Sequence, residues 1–172
     1  MKNFLSIIIF FLTLTSTVYA GCDFERVKLG TGSETVKSTY GTEIIKDPNN
    51  FSLSSSPSKG VNGTQVCSDK QFESLKFNFS FINHKLELIS VTDNGNSIDH
   101  LQNLSAYYGR PTYENVSALK KGTDDYHWEL KNKNVFLQVV RDNGFYVKNI
   151  KIISKNYTSL LQTFIKSDDV LH

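Results

Sequence analysis

The chain predicts an α+β fold: two repeated units, each a short helix plus an antiparallel β-meander, followed by a short C-terminal helix. Three observations carry this. Apolar and polar residues alternate strictly through Leu75-Lys76-Phe77-Asn78-Phe79-Ser80-Phe81 and again through Tyr126-His127-Trp128-Glu129-Leu130, the period-two pattern of strands with one buried face. Two short stretches with helical spacing each stop at a glycine, Gly41 and Gly109, where a left-handed residue ends a helix at least steric cost. The halves also echo each other in order. Val36, Tyr40 and Gly41 match Leu104, Tyr108 and Gly109 at an offset of 68, and residues 86–90 match 150–154 at an offset of 64.

Taken in order, residues 1–20 read as a cleavable export signal. Lys2 supplies a basic start, residues 4–14 are apolar but for Ser6 and Thr13, and Val18-Tyr19-Ala20 places small residues where a signal peptidase reads them. The apolar run is shorter than the roughly 20 residues of a permanent span. The expected location is periplasmic or secreted, with no transmembrane span in the mature chain. Loss of Lys2 takes 19 basic residues to 18 against 17 acidic. That near-neutral, scattered charge gives no basic stripe for nucleic acid.

Cys22 and Cys67 are the only cysteines. In an oxidising compartment such a pair predicts one disulfide. Tyr19-Ala20-Gly21-Cys22 also resembles a bacterial lipobox, so the alternative is a lipid anchor at Cys22 in an envelope lipoprotein. Six Asn-x-Ser/Thr sites stand at Asn50, Asn62, Asn78, Asn103, Asn115 and Asn156; they are acceptors for glycans only in a eukaryotic secretory pathway.

The first unit, 21–95, opens with Gly30-Thr31-Gly32, a turn before a helix with Ser33 as N-cap and Gly41 as stop. Residues 47–63, rich in Asn, Ser, Pro and Gly, read as a long irregular surface segment. The Phe-rich strand, an Asn83-His84 turn and a return strand over 86–92 form a hairpin. The second unit, 96–172, starts with a helix over 97–108 whose apolar face is Ile98, Leu101, Leu104 and Tyr108; His100 is then expected on the exposed side. Pro111 forbids continuation. Strands follow at 126–130, 135–141 and 145–154, the last two joined by Asp142-Asn143-Gly144, since Asn-Gly accepts the positive φ angles of a type I′ turn. Leu160, Leu161, Phe164 and Ile165 give the closing helix, 158–167, its apolar stripe.

Gly30-Thr31-Gly32-Ser33-Glu34-Thr35-Val36, then Tyr40-Gly41-Thr42, resembles the helix signature of the BamE (SmpA/OmlA) family of small envelope proteins. Glu43 stands where that pattern has proline; the second unit keeps Leu104, Gly109 and Pro111 without the leading glycine. Similar helix-plus-sheet units occur in tandem in the β-lactamase inhibitor protein fold. The resemblance implies envelope scaffolding or protein binding, without catalysis.

Reactive constellations are sparse. His84, His100, His127 and His172 are the only histidines and none forms a helical i, i+4 metal pair; no metal or cofactor is expected. Gly30-x-Gly32 lacks the Lys-Ser/Thr ending of a phosphate loop, and no Gly-x-Ser-x-Gly elbow exists. Asp124, Asp125 and His127 are the one carboxylate–imidazole cluster, open to an acid–base reading or to a polar strand entrance. Tyr108 and Trp128 are expected in the core, whereas Tyr107, Arg110 and Tyr113 form the candidate protein-binding surface. The expected function is therefore an exported, non-enzymatic module binding another protein of the bacterial envelope or exterior. The alternatives are a secreted inhibitor or immunity protein that plugs a hydrolase with residues 47–63, and a small extracellular enzyme using Asp124, Asp125 and His127.

Overall fold

The computed structural model describes residues 22–43, 56–57, 60–95, 97–119, 121–157 and 159. The expected signal segment 1–20, most of 47–63, and the expected closing helix 158–167 apart from Ser159 lie outside the described residues. Within them the fold is α+β, built on one antiparallel sheet. The strands are β1 Ser56–Pro57, β2 Val61–Asn62, β3 Leu75–Ile82, β4 Lys85–Asp93, β5 Tyr113–Asn115, β6 Gly122–Glu129, β7 Lys133–Asp142 and β8 Phe145–Ser154. Across the sheet they run β1-β3-β4-β8-β7-β6-β5, with β2 also paired to β3.

Turn chemistry sets the β3–β4 and β7–β8 hairpins. Asn83 and His84 take φ of 50° and 62°, and Asn143 and Gly144 take 48° and 88°, the paired positive values that match strand twist. The alternating residues then fall on one side. Leu75, Phe77, Phe79, Ile89, Val91, Ile150, Ile152, Val135, Leu137 and Trp128 are all buried. Three helices cover that side: α1 Ser33–Tyr40, α2 Gly63–Cys67 and α3 His100–Tyr108. They contribute Val36, Tyr40, Val66 and Leu104 to the same core, and Tyr40 stacks on Phe79 with centroids 5.2 Å apart. None of these helices is long enough to hold together alone; the sheet holds them.

The disulfide is formed: Cys22 and Cys67 are bonded with Cα atoms 4.8 Å apart. A sulfur in that bond carries no lipid thioether. The bridge ties the segment entering α1 to the end of α2.

Several elements differ from expectation. Ser33 is the first helical residue rather than the cap. Gly32 bridges Lys85 while Ser33 N–H donates to His84 O at 2.8 Å, so the backbone stays extended through Gly32 and the helix begins after it. The 97–108 helix starts three residues late, because Asp99 caps it by accepting from Gln102 N–H at 2.9 Å. The end of the expected 47–63 loop is ordered: β2 pairs with β3 and α2 follows, capped by Asn62 and Gln65. A short 3-10 turn, Lys70–Phe72, and β5 were also not foreseen.

Of the internal repeat, the helices correspond better than the strands. Val36 and Leu104 are both buried, and Gly41 and Gly109 both have positive φ. The strands are out of phase. Ile89 pairs with Ile152, and Leu88 with Ile153; an offset of 64 equates core-facing Ile89 with Ile153 on the opposite face. Nor does the sheet break between 95 and 96, since β4 and β8 are hydrogen-bonded neighbours.

Candidate binding surface

The polar side chains that reach the interior are engaged with one another. Asp93 ends β4 with the inward parity of Ile89 and Val91. Its carboxylate accepts from Ser74 Oγ at 2.7 Å and Gly95 N–H at 2.8 Å, and lies 2.8 Å from His100 Nε2. Lys148 stands 3.8 Å away and donates to the Ile98 carbonyl at 2.7 Å. Burial pushes the Asp93 carboxyl up, but the bonds from His100, Ser74 and Gly95 outweigh it and hold it at about 2. His100 was expected on the surface and is 1% exposed. Four residues before Leu104, its side chain shares that residue's buried face. Its signal was the spacing to Leu104 together with the parity of Asp93.

A second cluster joins the N-terminal segment to the sheet. Tyr108 Oη and Lys133 Nζ both donate to Glu25, and the Lys133 ammonium lies 5.1 Å from the Tyr108 ring centroid. Burial and the Glu25 carboxylate push the Tyr108 hydroxyl far above its ordinary range. Trp128 is buried as expected and donates from Nε1 to the Gly109 carbonyl at 2.7 Å.

Strand parity separates the carboxylate–imidazole cluster of β6. Asp124 faces inward, 2.7 Å from Arg141 Nη2 and accepting from Ser117 N–H at 2.8 Å. Asp125 and His127 face the other way. Asp125 accepts from Gln138 Nε2 at 3.0 Å, and His127 stacks on Phe136 with centroids 4.4 Å apart while its Nε2 lies 3.1 Å from Asn134 Oδ1. Asp124 and His127 therefore share no site. Among the described residues no group of His, Cys, Asp and Glu could hold a metal ion.

The exposed apolar side chains are distributed unevenly. Tyr107, Tyr113, Val116, Leu119, Phe136, Phe145 and Tyr146 are the exposed large hydrophobics of the described residues, and all lie in 107–146. Tyr107, Leu119 and Phe145 are 68%, 69% and 78% exposed. Tyr107 ends α3, Tyr113 begins the edge strand β5, and the β5–β6 loop carries Val116 and Leu119. Arg141 holds that loop against the β7–β8 hairpin by donating to the Ser117 carbonyl at 2.8 Å, which places Val116 and Leu119 at the same end of the sheet as Phe145. Arg110 is solvent-exposed and within 3.4 Å of Glu114. Tyr113 lies on β5, Arg110 just before it, and Tyr107 in the last turn of α3 against the cleft with Cys22–Phe24; sequence reasoning missed Leu119, in a loop, and Phe145, at the very start of β8, where no periodicity marks them.

A groove of ≈ 530 Å³ crosses the sheet face opposite the three helices. Its register follows from strand pairing. Tyr113, His127, Phe136 and Lys151 form one row, and Asp125, Gln138 and Asn149 form the next. Between the rows lie Tyr126 and Leu137, whose side chains point into the core. One wall is aromatic, the other amide and carboxylate. A smaller apolar cleft, ≈ 290 Å³, lies between Cys22–Phe24 and α3 and includes Tyr107 and Tyr108.

No family model, no curated protein and no solved structure matches this chain. No described helix is long and apolar enough to cross a membrane.

Proposed function

We propose that the chain is an exported, non-catalytic module that binds another envelope or extracellular protein along its β5 side. One observation carries this reading: every exposed large hydrophobic of the described residues belongs to 107–146, and none to 22–106. They follow the length of β6, with Tyr107 and Tyr113 towards its Trp128 end and Leu119 and Phe145 at its Gly122 end, and apolar side chains gathered along one strand favour a contact region over single scattered ones. Tyr107, Tyr113 and Phe145 are rigid rings that contribute area at low entropic cost, with Arg110 beside them. The disulfide supports an oxidising compartment. A non-catalytic role is favoured by the engagement of the Asp93, Asp124 and Glu25 carboxylates in pairs with His100, Arg141 and Lys133.

The test is affinity capture from the native extracellular or envelope fraction, followed by titration of the captured protein. Leu119→Ser with Phe145→Ser should weaken binding by about ten-fold or more while the melting temperature stays unchanged. Affinity untouched by both substitutions, and by Tyr107→Ala, would remove this surface from consideration.

A further inference from the structure

We infer that the groove across β5, β6, β7 and β8 is a binding site for a short, uncharged oligosaccharide. This goes beyond the protein-binding reading and does not depend on it. The groove spans four strands, or three spacings of about 4.8 Å, the reach of a few sugar rings laid across the sheet. A pyranose has two kinds of surface: C–H faces that pack on aromatic rings, and equatorial hydroxyls that both donate and accept. The groove presents the two complementary surfaces on opposite walls. Tyr113, His127 and Phe136 supply rings along one side; His127 and Phe136 are already stacked face to face with planes 8° apart, which fixes both rotamers before any ligand arrives. Gln138, Asn149 and Asp125 supply both amide donors and carbonyl or carboxylate acceptors along the other.

The second wall is held in place as well. Gln138 Nε2 donates to Asp125 Oδ1 at 3.0 Å, and Asn149 Oδ1 accepts from Thr92 Oγ1 at 3.2 Å. These bonds use one atom of each amide and leave the Gln138 carbonyl and the Asn149 amino group with no assigned partner among the described residues. Neither wall needs ordering on binding, which removes part of the entropic cost of association.

Charge and backbone chemistry select among ligands. Among the described residues Asp125 and Lys151 are the Asp, Glu, Lys and Arg side chains of the groove and offset each other, so neither a phosphate-bearing chain nor an acidic peptide is attracted. An extended peptide would need free main-chain groups to pair with. The groove floor is formed by β6 and β7, each paired on both sides, and among the described strands of the groove only the outer edge of β5, at the border and directed away from the floor, is unpaired. A neutral, hydroxyl-rich ring is what remains.

The experiment is NMR or calorimetric titration of the full mature chain with four neutral probes: cellotetraose, xylotetraose, mannotetraose and N-acetylated chitotetraose. At least one should bind in the millimolar range or tighter, with shifts at Tyr113, Gln138 and Asn149. Tyr113→Ala and Gln138→Ala should each weaken it by about ten-fold. Tyr113 belongs to both surfaces; Leu119→Ser, outside the groove, should leave sugar binding unchanged and Gln138→Ala should leave protein binding unchanged, which separates the two. The inference is overturned if none of the four binds at about 10 mM, if binding survives both groove substitutions, or if a partner protein or peptide competes for the groove where no sugar does.

Discussion

Asp93 is closed off from solvent, and its carboxylate is stabilised by Ser74, the Gly95 amide, His100 and Lys148. Holding it at about 2, below the value near 3.9 of an unfolded chain, makes the fold acid-sensitive in a defined window. The depressed carboxyl contributes stability above pH 4, and that contribution is lost as pH falls from about 4 to about 2. Its size is roughly 2 kcal/mol. Urea unfolding between pH 2 and 7 should show this slope. Asp93→Asn should flatten it and cost about 3 kcal/mol at pH 7, since Lys148 loses its counter-charge and His100 its carboxylate partner while both stay buried. A slope unchanged in the variant would assign the acid transition to other carboxylates. Half of this pair was legible in the sequence. Asp93 continues the alternation of Ile89 and Val91, so its inward direction follows from parity. His100 did not follow, because counting Ile98 on the apolar face swings that face away from it; with Ile98 ahead of the helix, the buried face takes in His100 and Leu104, four residues apart.

At the scale of elements, the long strands and their turns could be read directly: β3, β4, β7 and β8 lie within a residue or two of the expected spans. The short elements could not. α2 has five residues, too few for a helical period, and it stands in a stretch dense with glycine and serine. Its local trace was Asn62 three residues before Gln65, whose Oε1 accepts from Asn62 N–H at 3.1 Å, a capping box without the usual Ser or Thr. β5 is three exposed residues with no alternation at all, and it borders the groove. α2 also explains why Gly63 is a glycine. A Cβ there would lie 1.9 Å from the Phe72 carbonyl oxygen and 2.7 Å from Leu75 Cβ, both fixed by the core. Gly63→Ala should therefore destabilise by more than about 3 kcal/mol, measured by chemical denaturation. A loss below about 1 kcal/mol would mean that α2 moves freely on the sheet.

For the whole molecule, the Cys22–Cys67 bridge joins points separated by 45 residues and encloses α1 and the ordered end of the 47–63 segment. In the chain-entropy relation a loop of this length contributes about 4 kcal/mol by constraining the unfolded chain. Reduction, or Cys22→Ser with Cys67→Ser, should lower stability by that order in equilibrium unfolding. Strand spacing, turn chemistry and cysteine pairing made the sheet and its bridge legible from the sequence. The groove was not, because its walls are rows across strands, and a row exists only once the register of four strands is known.

The central position of β8 has a temporal consequence. Leu88 meets Ile153 and Val91 meets Ile150, so the Phe-rich hairpin formed by 75–93 waits for more than fifty further residues before its inner neighbour exists. During synthesis N-terminus first, that hairpin emerges with one edge unsatisfied and its aromatic face only partly shielded, and non-local pairing of this kind is slow and prone to association. A chain wired this way stays loosely assembled until its last strand is made, and its native shape arrives late and all at once.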